Sequence, residues 1–203
     1  MECMLNYFPN LTAEQSDRLG RMGDLYAQWN ERINVISRRD IDNLYVHHIL
    51  HALAIAKAPL SLGDRVMDLG TGGGFPGLPL AIMYPTVQFT LIDGTAKKIR
   101  VAEAVAGALG LKNVVCRHQR AEELRGERFD CVVTRGVAPL PQLLRWTQPL
   151  APRLIALKGG LAAKEETAQA EQAGHNCQTI PISQLFPDEP FFAEKFIIHI
   201  TLR

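Results

Sequence analysis

Between Asp68 and Gly77 the chain reads Asp-Leu-Gly-Thr-Gly-Gly-Gly-Phe-Pro-Gly, and four of the five positions 70–74 are glycine. No helix or strand interior tolerates such a run, because glycine gives up the most backbone freedom on ordering. Just before it stands a short apolar strand candidate, Arg65-Val66-Met67-Asp68-Leu69, and just after it a helix-like stretch, Leu78–Met83. A strand passing through a glycine turn into a helix is the opening unit of an open α/β sheet. In such sheets ligands sit at the carboxyl ends of the strands, where glycine lets backbone approach them. Leu69 to Ile92 carries no charge and is long enough for a membrane span, but five glycines and three prolines interrupt it. No continuous helix survives that, so the stretch is read as loop, helix and strand.

The same rhythm continues. Val87–Ile92, Val114–Arg117, Phe129–Thr134 and Leu154–Leu157 are apolar runs without alternation, as strands buried on both faces are. Helices are expected over Ala96–Leu109, with Gly110 as its stop, over Leu140–Leu150, and over Lys164–Ala173, with Gly174 as its stop. Cys177–Ile182 and Phe196–Leu202 close the chain as an expected antiparallel edge pair. Upstream, Leu19, Met22, Tyr26 and Trp29 recur at helical spacing, and Thr12 with Gln15 forms a candidate capping box. A break over 29–37 precedes a second helix from Asp40, a candidate N-cap, to Ala58. The reading is one α/β domain over 1–203, with a helical extension over 1–60 packed on a core over 61–203.

Composition sets the limits. The chain has 203 residues, 47% hydrophobic and 21% charged, enough for a packed core and too apolar for wholesale disorder. A net charge of +1 does not by itself announce a nucleic-acid or membrane binder. It hides an asymmetry: residues 95–128 sum to +4, 134–164 to +5 and 165–203 to −4. A basic middle suits phosphate contact on one face. Cys3, Cys116, Cys131 and Cys177 are scattered without a C-x-x-C, which argues against a disulfide framework or a zinc knuckle. Reduced thiols and the lack of a signal-peptide pattern predict a cytoplasmic protein.

The glycine loop admits two readings. Gly72, Gly74 and Gly77 satisfy the dinucleotide pattern G-x-G-x-x-G, while Gly70, Gly72 and Gly74 satisfy the G-x-G-x-G of S-adenosylmethionine sites. The first glycine after the strand is Gly70, and dinucleotide spacing from it requires glycine where Phe75 stands. Asp68 would repel a pyrophosphate and attract an ammonium or sulfonium. Asp93, at the end of the second strand, suits ribose hydroxyls of either cofactor. The loop therefore favours S-adenosylmethionine, with a nicotinamide-dependent oxidoreductase as the competing enzyme reading.

Beyond the loop, Leu78-Pro79-Leu80, Leu91-Ile92-Asp93, Ala121-Glu122, Phe129 through Arg135, Leu157-Lys158-Gly159, Trp29-Asn30 with Asn34, and His48-Ile49-Leu50 follow in order. This set resembles the small-subunit ribosomal RNA guanine-N7 methyltransferases, the RsmG or GidB family, from about Trp29 to the C-terminus. The resemblance implies a Rossmann-like class I methyltransferase with a seven-stranded, mostly parallel sheet. It also implies S-adenosyl-L-methionine as cofactor, and as substrate a guanine in the 530 loop of 16S rRNA of the small ribosomal subunit. Carried over by position, Gly70 and Phe75 would touch the cofactor, Asp93 its ribose and Ala121-Glu122 its adenine side. Arg135 would stand where cofactor meets RNA. The chain departs from the family pattern at Gly94, at His51-Ala52 and at Gly136.

Guanine N7 offers a free lone pair, so its methylation requires no general base, and no Ser-His-Asp set, metal cluster or catalytic cysteine is expected. Arg135 and Lys158, each at a strand's carboxyl end inside the basic middle, are the expected RNA contacts. His47 and His51 lie four apart on an expected helix, but without a third ligand they read as packing or RNA contact rather than a metal site. A non-catalytic RNA-binding module on the same fold remains the third reading. The intact loop with Asp93 speaks against it.

Overall fold

Seven strands share one sheet in the computed structural model, which describes residues 2–37 and 40–202; Met1, Arg38, Arg39, Arg203 and the side chains of Glu2 and Cys3 lie outside the described part. The strands are β1 (Arg65–Leu69), β2 (Gln88–Asp93), β3 (Val114–His118), β4 (Cys131–Arg135), β5 (Arg153–Gly159), β6 (Asn176–Pro181) and β7 (Lys195–Thr201). Their order across the sheet is β3-β2-β1-β4-β5-β7-β6. The first five are mutually parallel, and β7 runs antiparallel to both β5 and β6. The expected antiparallel pair is present, with β7 inserted beside β5 and β6 left at the edge. From β1 the chain goes to one side for β2 and β3, then returns to the other for β4 and β5. That reversal opens a crevice at the carboxyl ends of β1 and β4.

Among the described residues, eight α-helices surround the sheet. Four lie in the first half: α1 (Glu2–Tyr7), α2 (Ala13–Asn30), α3 (His51–Lys57) and α4 (Gly77–Met83). The others are α5 (Ala96–Ala108), α6 (Leu140–Thr147), α7 (Gly160–Gln172) and the short α8 (Ile182–Leu185). α2 starts at the expected capping box: Gln15 N–H donates to Thr12 Oγ1 at 3.1 Å, and Thr12 N–H donates back to Gln15 Oε1 at 3.0 Å. α7 begins at Gly160, four residues before the expected start, because Gly160 at φ +73° turns the end of β5 directly into the helix.

The helices split into two layers. On one face, Leu19, Met22 and Tyr26 of α2 join Leu53 of α3, Leu80 of α4 and Val101 of α5 against Phe89 and Leu91 of β2. On the other, Leu140, Leu143 and Leu144 of α6 and Ala163 and Ala170 of α7 cover Val132, Leu154 and Ile198. The helical extension thus shares the core of the first layer rather than forming one of its own.

The expected helix from Asp40 differs. Residues Ile41–Asn43 form a 3₁₀ turn, Leu44–Leu50 a π-helix, and only then does α3 begin. Asp40 makes no capping hydrogen bond. Its carboxylate is taken by two histidines, described below. π-turns of this kind often accompany functional sites.

Candidate active site

The glycine loop is moored at both ends. Gly70 N–H and Thr71 N–H both donate to Ile92 O, at 2.9 and 3.0 Å, and Tyr26 Oη donates to Gly73 O at 2.6 Å. Gly70, Gly72 and Gly74 all have positive φ, at +69°, +58° and +113°. Asp68 anchors the loop from beneath. It is fully buried, and its Oδ2 accepts from Thr71 Oγ1 at 2.6 Å and from Gly77 N–H at 2.7 Å. Burial lifts its pKa to about 7, against the pull of those two hydrogen bonds. Among the described residues its Oδ1 meets no partner.

Above the loop lies a cavity of about 470 Å³, bordered by Gly70, Gly72, Phe75, Asp93, Ala121, Glu122 and Arg135. Seven of the nine residues expected around a cofactor are therefore brought together. Asp68 and Gly74, the other two, do not border the cavity. Asp68 faces the loop's interior, and a Cβ on Gly74 would meet Leu78 Cδ1 at 2.4 Å and Tyr26 Oη at 3.0 Å. Gly74 is required for packing. A Cβ on Gly72 would meet nothing within 4 Å, so that backbone stands open to whatever fills the cavity. Asp93 accepts Gly72 N–H on Oδ2 at 2.9 Å and Thr95 N–H on Oδ1 at 2.8 Å. A carboxylate has about four acceptor positions, so each oxygen keeps one for a ligand hydroxyl.

Arg135 closes one side. Its guanidinium lies 5.2 Å from the Phe75 ring centroid and donates to His47 O at 3.2 Å and to His48 Nδ1 at 3.0 Å. Since His48 Nδ1 accepts, its proton sits on Nε2 and is donated to Asp40 Oδ2 at 2.6 Å. Burial, aided by the Arg135 charge, lowers the His48 pKa to about 4, so the ring is neutral at pH 7. His47 contacts the other Asp40 oxygen and stacks on Phe191 at 3.7 Å. His47 and His48 thus hold Asp40 between them, and among the described residues no group of three or more histidine, cysteine or acidic side chains is placed to hold a metal ion.

A second cavity of about 310 Å³ adjoins the first, sharing Arg135 and Gly136, and is bordered also by His51, Lys158, Glu166 and Lys195. Here Lys158 differs from its expected role. Its Nζ donates to Glu166 Oε2 at 2.5 Å and to Ala138 O at 3.0 Å, and its side chain is only 13% exposed. A cation so held is spent on the fold of the β5–α7 junction and is not presented to a phosphate. Sequence reasoning missed Asp40, Glu166 and Trp146, the last of which borders the first cavity from α6. Trp146 lies inside the helix expected over Leu140–Leu150, but nothing in the sequence showed that it would turn toward the site.

Comparison with known proteins adds the family and the fold. A family model described as rRNA small subunit methyltransferase G matches residues 15–186. Ribosomal RNA small subunit methyltransferase G of Bacteroides fragilis is 46% identical, with all of both chains covered. The protein of the same name from Bacteroides thetaiotaomicron is 47% identical over 98% of each chain. Among solved structures, Aeropyrum pernix fibrillarin with natively bound S-adenosyl-L-methionine superposes with a TM-score of 0.56 at 14% identity, covering 75% of this chain and 74% of that one. At that identity the likeness is one of fold.

Proposed function

The chain belongs to the rRNA small subunit methyltransferase G family, and from that membership we propose that it methylates N7 of a guanine in the 530 loop of 16S rRNA, using S-adenosylmethionine. The observation that carries the reading is the pair of adjoining cavities that share Arg135, one floored by the open Gly72 backbone and Asp93. The cofactor supplies a methyl group on a sulfonium. Its ribose hydroxyls suit the spare acceptor positions of Asp93, and its adenine suits the Ala121 and Glu122 end. The bare Gly72 backbone is a cradle that any Cβ would fill, which fits a bulky cofactor lying against it.

The chemistry then asks little of the side chains. The N7 lone pair forms the new N–C bond as the C–S bond breaks, and no proton leaves the base. Rate comes from holding N7 in line with the methyl carbon. Arg135 is well placed to orient the acceptor at the junction of the two cavities. It remains a cation at neutral pH although burial lowers its pKa to about 10. Among the described residues it keeps donors free beyond the two that His47 and His48 occupy. Mass mapping of modified nucleotides in small-subunit rRNA, from cells with and without the protein, tests the reading. Loss of one 7-methylguanosine in the 530 loop is expected; an unchanged rRNA modification map would overturn it.

Two further outcomes follow from the same geometry. Asp93→Ala removes a ribose acceptor and also frees Gly72 N–H and Thr95 N–H. Cofactor affinity is expected to fall by roughly 2–4 kcal/mol, since hydrogen bonds to charged groups contribute about 1.5–3 kcal/mol each and need not add. Calorimetry giving parental affinity in a folded variant would remove Asp93 from the site. His48→Ala and Arg135→Ala are each expected to slow subunit methylation, and the double variant to be no slower than Arg135→Ala alone, because His48 acts through Arg135. Additive losses among the four proteins would mean that His48 acts independently of Arg135.

A further inference from the structure

From the second cavity we infer that Glu166 is the carboxylate that receives the Watson–Crick edge of the target base, its Oε1 accepting from guanine N1–H and N2–H. The inference rests on the guanine reading above and adds to it the group that selects the base and stabilises its positive product.

The carboxylate is built in. Glu166 borders the cavity, and its side chain is only 16% exposed. Its Oε2 is fixed by Leu140 N–H at 2.7 Å and by Lys158 Nζ at 2.5 Å. Among the described residues no donor meets Oε1. One oxygen is thus locked by a backbone amide at the start of α6 and an ammonium at the end of β5, which leaves the other held in a fixed direction with its acceptor capacity unused. The lysine at the same junction offsets part of the burial cost of the charge. His51 on the same wall is buried, and among the described residues its Nε2 has no partner.

The chemistry of guanine fits that placement. N7 and the N1/N2 pair lie on opposite edges of the base. A guanine spanning the two cavities past Arg135 presents N7 toward the first and N1–H and N2–H toward the second. Methylation at N7 spreads positive charge through the ring and makes N1–H more acidic. A hydrogen bond from N1–H to a carboxylate therefore strengthens as the N–C bond forms. An interaction stronger in the transition state than in the ground state speeds the chemical step. Adenine presents a lone pair at N1, where a carboxylate would repel it, so the same group rejects the other purine.

The test compares single-turnover methylation, at saturating S-adenosylmethionine, of small subunits reconstituted with rRNA bearing guanosine or inosine at the mapped position. Inosine lacks only the N2 amino group. The parental protein is expected to favour guanosine by about tenfold, the worth of one charge-assisted hydrogen bond. Glu166→Gln is expected to slow the guanosine reaction by about 10- to 100-fold and to bring the preference close to one, with Glu166→Asp in between. Cofactor affinity by calorimetry reports folding, and a merely structural role for Glu166 would leave the base preference untouched. Equal parental rates on the two substrates overturn the inference without any variant. A folded Glu166→Gln or Glu166→Asp protein that keeps the parental preference overturns it as well. If the parental protein makes no 7-methylguanosine, it is the broader reading that fails.

Discussion

Gly72→Val is expected to abolish S-adenosylmethionine binding while leaving the sheet folded. The backbone at Gly72 sits at φ +58°, which a β-branched residue resists at a cost of about 1–2 kcal/mol. A domain of this size survives that strain, because the loop's other moorings at Ile92, Tyr26 and Asp68 do not pass through the Gly72 side chain. The binding site does not survive it. The added Cβ stands in open space, with nothing within 4 Å, so the side chain built on it takes up room along the floor of the cavity. Calorimetry with circular dichroism separates the two effects, and Gly72→Ala should fall between them. A folded valine variant with parental affinity would move the cofactor elsewhere.

The second large effect is expected at Asp68. Asp68→Ala leaves Thr71 Oγ–H and Gly77 N–H without their buried acceptor, and each such loss costs about 1–3 kcal/mol. A fall in unfolding free energy of about 2–5 kcal/mol should follow in denaturant titration. The charge itself works the other way. In the unfolded chain the carboxyl titrates near its ordinary value of 3.8, and in the fold near 7. Between those values the folded protein holds a proton that the unfolded chain has released. This group's contribution to stability is therefore fully present below about pH 4 and is lost as pH rises through 7. Asp130 runs oppositely: hydrogen bonds from the Arg65 and Asp64 backbones hold its pKa low, so its contribution is lost as pH falls. The difference between the parental protein and Asp68→Asn isolates the Asp68 contribution. Asparagine keeps an acceptor for the two donors, and the difference curve should slope across pH 4–7; a flat curve would mean that Asp68 is ionised throughout.

Much of this molecule was legible in the chain. Strands of a doubly covered sheet are apolar on both faces, so β1, β2, β4 and β5 stand out as unalternated runs, each found within about two residues of its expected bounds. That Gly70, Gly72 and Asp93 would border the cavity was legible because their placement is local: backbone conformation in one case, a strand-end carboxylate in the other. What stayed hidden depends on chain segments far apart in sequence. Asp68 reads as a ligand carboxylate until Thr71 and Gly77 are seen to curl back over it. Lys158 reads as a rim cation until α7 brings Glu166 beneath it. Asp40 reads as a helix cap because serine, threonine, asparagine and aspartate all do at such positions. Only the π-turn, which brings His47 and His48 to the same carboxylate, shows its other use.

The insertion of β7 between β5 and β6 bears on how the chain reaches this state. Among the described residues β6 pairs with no strand but β7, and the outer edge of β5 is covered by β7 alone. Both precede β7 in the chain, so neither is satisfied until that later segment slides into the slot. In the interval β5 offers unpaired backbone along Leu154, Ile155, Ala156 and Leu157, all buried in the finished protein. A bare, apolar edge of this kind is a template for a strand from another molecule. Losses on refolding should therefore climb with protein concentration, and the stage that sets the yield is a race between the chain's own seventh strand and a neighbour's.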